Sequence, residues 1–208
     1  MSGLAGGEVT RYSLSEIDAQ CRRAARGAGC SWGIAEEAGK AARWLSAHDL
    51  PGPEAVAALL RAPRDCPCGG GTGPACALRL GAACSDHARA IAAGEAVEAE
   101  VAQPLMVVAM MARAAAACGA AFALDWEGIR ARCGPSGVAI EGAGPLLAGR
   151  ARLRVAAGDA PDGVRPQIPV SRPVAPGTWA ILDGHAARTY APATALSRRL
   201  GAGSGNAD

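Results

Sequence analysis

The chain has 208 residues, which suits one domain or a domain with a small appendage. Half of the residues are apolar but only 3% are aromatic, so the core must be built from Ala, Leu, Val and Ile. A net charge of +2 argues neither way about nucleic acid, but the shortage of stacking rings argues against it.

Basic residues are nearly all arginine, and Lys40 is the single lysine. Its mid-helix position excludes a P-loop lysine and disfavours a Schiff base. The opening, MSGLAGGEVTRYSLSE, lacks the apolar segment of a secretory signal. The eight cysteines are therefore expected as reduced thiols in a cytoplasm. The most apolar run, Pro104 to Leu124, is interrupted by Arg113 and mostly alanine, so it reads as a buried helix and not a membrane span.

In chain order, residues 1–12 read as a loose N-terminus. Ser13-Leu14-Ser15-Glu16 is a capping box, and a helix runs from it to about Arg26 with Ile17, Cys21 and Ala24/Ala25 on one face. Gly27-Ala28-Gly29 stops it. A second helix spans about Ser31 to Ala47 and a third Glu54 to Arg61. Ala62 to Ala83, rich in Pro, Gly and Cys, reads as a loop, and Ser85 as the cap of a helix to Ala93. Ala96 to Val101 alternates like a strand, and Pro104 to Cys118 is the buried helix. Ala121 to Trp126, Gly137 to Glu141, Arg150 to Ala156 and Thr178 to Leu182 are candidate strands; Arg150, Arg152 and Arg154 give one strand a solvated face. Asp159 to Pro176 is a long loop, and Pro192 to Leu200 a short last helix before a glycine-rich tail, 201–208. The prediction is one α+β domain over 13–200: a helical region (13–118) packed on a small, mostly antiparallel sheet (119–200).

The densest chemistry lies at the end of the chain. Arg188, Arg198 and Arg199 with Thr189, Tyr190 and Ser197 suit a small anion, since guanidinium forks bind carboxylate or phosphate bidentately. His185 is the candidate acid or base, and Asp183 the residue to orient it. Cys66, Cys68, Cys76 and Cys84 are candidate zinc ligands, although only Cys66-Pro67-Cys68 is close-set. Gly29-Cys30-Ser31-Trp32-Gly33 has the G-x-S-x-G pattern, but a helix precedes it where a hydrolase elbow needs a strand, so Ser31 reads as a helix cap. Gly69-Gly70-Gly71-Thr72-Gly73 and Gly201-Ala202-Gly203-Ser204-Gly205 lack the strand–helix context of a phosphate loop.

Two stretches, SLSEIDAQCRRAARGAGCSWGIAEEAGKAARWL (Ser13 to Leu45) and RTYAPATALSRRLGAGSG (Arg188 to Gly205), resemble a bacterial family catalogued as domain of unknown function 3726; LGAACSDHA (Leu80 to Ala88) is compatible. The resemblance implies a compact bacterial cytoplasmic domain and no particular activity. Residues 13 to about 60, with Asp49-Leu50-Pro51-Gly52, also look like the opening of the type-2 malate/L-lactate dehydrogenases. Those enzymes follow with Ser-His-Gly; here Pro53-Glu54-Ala55 follows, so that likeness implies a helical shape and carries over no catalytic residue. The functional expectation is a protein of small-molecule metabolism, enzyme or accessory, that binds an anionic metabolite. The alternatives are a non-catalytic subunit or dimerisation module, as a homo-oligomer or with a partner subunit, and a zinc protein. No cofactor is indicated.

Overall fold

The computed structural model describes residues 10–61, 75–162 and 170–190. The chain runs β1 (Thr10–Ser13), α1 (Leu14–Gly27), α2 (Trp32–Ala47), α3 (Gly52–Arg61), β2 (Ala75–Cys76), α4 (Ala77–Asp86), α5 (Ala88–Ala92), β3 (Val97–Ala102) and α6 (Leu105–Cys118). It continues β4 (Phe122–Trp126), β5 (Ile129–Gly134), β6 (Gly137–Gly142), β7 (Ala151–Ala157), β8 (Ser171–Val174) and α7 (Pro176–Ala186), closed by a 3-10 turn at Ala187–Thr189. The expected α+β class holds: the main sheet, ordered β2-β3-β7-β4-β5-β6, is antiparallel except for the β2–β3 pair.

The sheet has one dry face and one wet face, because residue direction alternates along each strand. Phe122, Leu124, Trp126 and Ala131 are buried on the side covered by the fully apolar first turns of α6, Leu105 to Ala112, and Leu153 and Val155 of β7 are buried beside α5. On the wet face the register lines up Glu98, Arg154, Asp125, Arg130 and Glu141 in one row across five strands, acid and base alternating. Arg152 meets Glu98 at 2.7 Å and Arg130 meets Asp125 at 2.6 Å. Opposite charges side by side suit a sheet face left in water.

The helices pack through alanine. Ala24, Ala25, Ala35, Ala38, Ala41 and Ala42 are all buried, and a side chain at Gly39 would run into the Asp18 backbone. Axes can therefore approach closely without large side chains between them. Arg113 on α6 reaches Glu37 on α2 at 2.7 Å and ties the two layers.

Four local expectations are corrected. Thr178 to Leu182 is helical, not a strand: Ala175 is extended, Pro176 sits at the first helical position, and Trp179 donates to the Ala175 carbonyl. Its short apolar run is too brief to separate the two periods. Thr10 to Tyr12, expected to be loose, forms β1 and pairs with β8, which lies inside the expected loop of 159–176. Tyr12 stacks on Trp179 at 3.5 Å and fastens that pair to α7. Ala75 to Ala83, also expected as loop, is β2 and most of α4; Ser85 lies within α4, donating to the Gly81 carbonyl, and caps nothing. Finally β5 went unpredicted, although Ile129, Ala131 and Cys133 bury while Arg130 stays outside. Glu127 and Gly128, both at positive φ (39° and 76°), make the tight turn that folds β5 onto β4.

Candidate anion-binding cleft

The cleft begins with the two faces of α1. The capping box forms: the Ser13 hydroxyl accepts from the Glu16 amide at 3.2 Å, and the Ser13 amide donates to the Glu16 carboxylate at 2.8 Å. From this start, Ile17, Cys21, Ala24 and Ala25 face the core. The same spacing leaves Arg22, Arg23 and Arg26 on the outer face near the helix C-terminus, where positive charge is favoured. Gly29 (φ 97°) turns the chain, and Ser31 sits in extended backbone at the cap of α2, as expected, though its hydroxyl caps no amide. That leaves Trp32, the first residue of α2, out in solvent.

The other wall comes from the far end of the sequence. Gly27 allows it, because a Cβ there would overlap the His185 carbonyl. The end of α7 thus lies backbone to backbone on the end of α1, and the residues after α7 turn along the arginine face. Arg22, Arg23, Arg26 and Arg188 line one cleft of about 560 Å³, with Trp32 and Tyr190.

The polar contacts here are directional. The buried Gln20 amide donates to the Asp183 carboxylate at 2.5 Å, and its carbonyl accepts from Arg23 at 3.0 Å. Arg23 also donates to the Tyr190 phenolic oxygen at 3.3 Å, which leaves the Tyr190 proton free to donate. Arg26 donates to the Cys30 carbonyl and stacks over the Trp32 ring, 4.4 Å from its centroid. Among the described residues none of the four arginines is ion-paired, and Arg22 and Arg188 have no hydrogen-bond partner either. A larger cleft of about 820 Å³ on the wet sheet face differs in kind: its arginines are already matched by Glu98 and Asp125.

Of the residues singled out in the sequence, Arg188, Thr189 and Tyr190 line the cleft, but the Thr189 hydroxyl donates to the Ala186 carbonyl at 2.7 Å and has no second proton to offer. His185 does not line it. Burial first, and then the charge of Arg188, lower its pKa, while the Leu60 backbone beside it acts in the opposite direction. Asp183 engages Gln20 rather than orienting His185. Ser197, Arg198, Arg199, Cys66 and Cys68 lie outside the described residues. Cys76 and Cys84 are buried, and burial pushes the Cys84 thiol up, away from the thiolate that zinc requires. Arg22, Arg23, Arg26 and Trp32 were missed. Their spacing marked only the polar side of a helix, and nothing local announced a partner more than 160 positions away.

The fold and cleft together define a small α+β protein with an unneutralised arginine cleft. Residues 12–98, which hold Arg22, Arg23, Arg26 and Trp32, match the model of the family described as "Protein of unknown function (DUF3726)". No curated protein and no solved structure matches the chain, and the likeness to type-2 malate/L-lactate dehydrogenases is not confirmed. Among the described residues no helix is long and apolar enough to cross a membrane.

Proposed function

We propose that the cleft binds a small anionic metabolite, in a protein of bacterial cytoplasmic small-molecule metabolism. One observation carries this reading: four guanidinium groups line a single cleft and none has a carboxylate partner among the described residues. Like charges held together repel, and two or more of these forks closing on one oxyanion relieve that repulsion while making charge-assisted hydrogen bonds. The Tyr190 proton supplies a further donor. Ser197, Arg198 and Arg199 belong to the same reading as additional ligands from the end of the chain.

The test is the melting temperature in phosphate against chloride at matched ionic strength. Phosphate raises it for the wild-type chain by mass action, about 2.7 kcal/mol at a hundred times the dissociation constant. The double substitution Arg22→Gln/Arg188→Gln removes the effect without lowering the melting temperature in chloride. An equal phosphate effect in wild type and variant defeats the proposal. Truncation after Tyr190 tests the part given to Ser197, Arg198 and Arg199: weaker phosphate binding supports it, and unchanged binding confines the site to the described cleft.

A further inference from the structure

We infer that the anion this cleft takes carries a planar aromatic ring, held against Trp32 and Tyr190 while the arginines hold its charged end. This inference rests on the anion-binding reading above and adds the other half of the ligand.

Rings are scarce in this chain: four Trp, two Tyr and one Phe. Five of them have packing partners. Phe122 and Trp126 are buried in the core, Tyr12 and Trp179 stack on each other at 3.5 Å, and Trp44 stacks on His48 at 3.9 Å. The other two, Trp32 at 69% exposure and Tyr190 at 63%, line the same cleft. A chain with so few aromatic side chains leaves two of them in water at one place, beside its unpaired arginines.

Both rings are held. Trp32 has a guanidinium over its ring. Tyr190 is anchored through its oxygen to Arg23, which Gln20 and Asp183 fix in turn. Rings positioned in this way offer flat apolar area at little further entropic cost. The clustered guanidiniums add planar cations that stack on π surfaces as readily as they bind oxyanions. A cleft of about 560 Å³ is in the range that encloses a small organic ligand and exceeds what a bare phosphate or sulfate needs.

The experiment is a calorimetric titration of the full chain with inorganic phosphate, phenyl phosphate and cyclohexyl phosphate. The last two are monoesters of a flat and a puckered ring, compared at a pH where both are dianions. Phenyl phosphate is expected to bind about tenfold tighter than cyclohexyl phosphate, the scale of an aromatic contact beyond simple area. In Trp32→Ala, which removes a ring but no donor to the anion, that preference falls at least about threefold while the affinity for inorganic phosphate changes less than about threefold. Trp32 is exposed, so the variant is expected to fold. Phosphate binding with no preference for the flat ring overturns this inference and leaves the anion site standing; so does a preference that survives undiminished in Trp32→Ala. Failure of all three probes to bind overturns both.

Discussion

Arg23 donates to the phenolic oxygen of Tyr190 at 3.3 Å, across 167 positions of sequence. This bond joins the first helix to the end of the last described turn, and it depends on a buried amide. Gln20 accepts from Arg23 on one side and donates to Asp183 on the other. Replacing Gln20 by Leu keeps the volume and removes both bonds. The expected cost is about 1 kcal/mol in unfolding free energy, with a roughly tenfold loss of phosphate affinity because Arg23 is no longer aimed. Denaturant titration and calorimetry read the two effects separately.

Gly27 lies where the backbones of α1 and α7 touch. Alanine normally strengthens a helix over glycine by up to about 1 kcal/mol. Here the added methyl overlaps the His185 carbonyl, so Gly27→Ala is expected to destabilise by about 1–3 kcal/mol, as overpacking does. It also moves Arg188 and Tyr190 away from Arg23. A stabilised Gly27→Ala variant shows that the two helix ends are not in contact.

His185 has a pKa below its ordinary value of 6.5, from burial and then from the Arg188 charge. The unfolded chain therefore takes up a proton before the folded one does. Stability is unaffected above about pH 6.5 and falls as pH drops through that value toward the folded pKa. The melting temperature of wild type should decline over this window, and His185→Gln should remove that part of the decline. Phosphate bound at Arg188 offsets part of the cationic charge and moves the His185 pKa upward, which proton NMR of its ring follows.

Glu98 lies on the wet sheet face between Arg152 and Arg154, at 2.7 and 3.5 Å. These groups are well exposed, so deleting the carboxylate by Glu98→Gln should cost under about 1 kcal/mol. Glu98→Lys puts three cations side by side and should cost about 1 kcal/mol more, a penalty that shrinks in salt. Neither substitution should alter phosphate binding, which separates the self-neutralised sheet face from the arginine cleft.

Much of the fold was legible where a pattern repeats locally. The capping box at Ser13 and Glu16 set the start of α1, and the arginine alternation around Arg152 marked a strand with one wet face. Reading failed where the deciding contact is distant or the segment short. Tyr12 and Trp179 give no local sign that they stack, so β1 and α7 were misjudged together. Half of the cleft was visible at Arg188 and Tyr190. The other half was in plain sight as Arg22, Arg23 and Arg26, but a polar helix face looks the same whether it meets water or a ligand. Of the two stretches that resemble the family in sequence, Ser13 to Leu45 lies within the matched residues 12–98 and supplies Arg22, Arg23, Arg26 and Trp32 to the cleft.

The most direct test of the arginine cleft is the heat of binding of inorganic phosphate to the full chain, wild type against Arg22→Gln/Arg188→Gln, at low and then physiological salt. The cleft predicts saturable binding to wild type that weakens with salt and is lost in the double variant. Binding of the same strength in both proteins, or none in wild type at low salt, contradicts it.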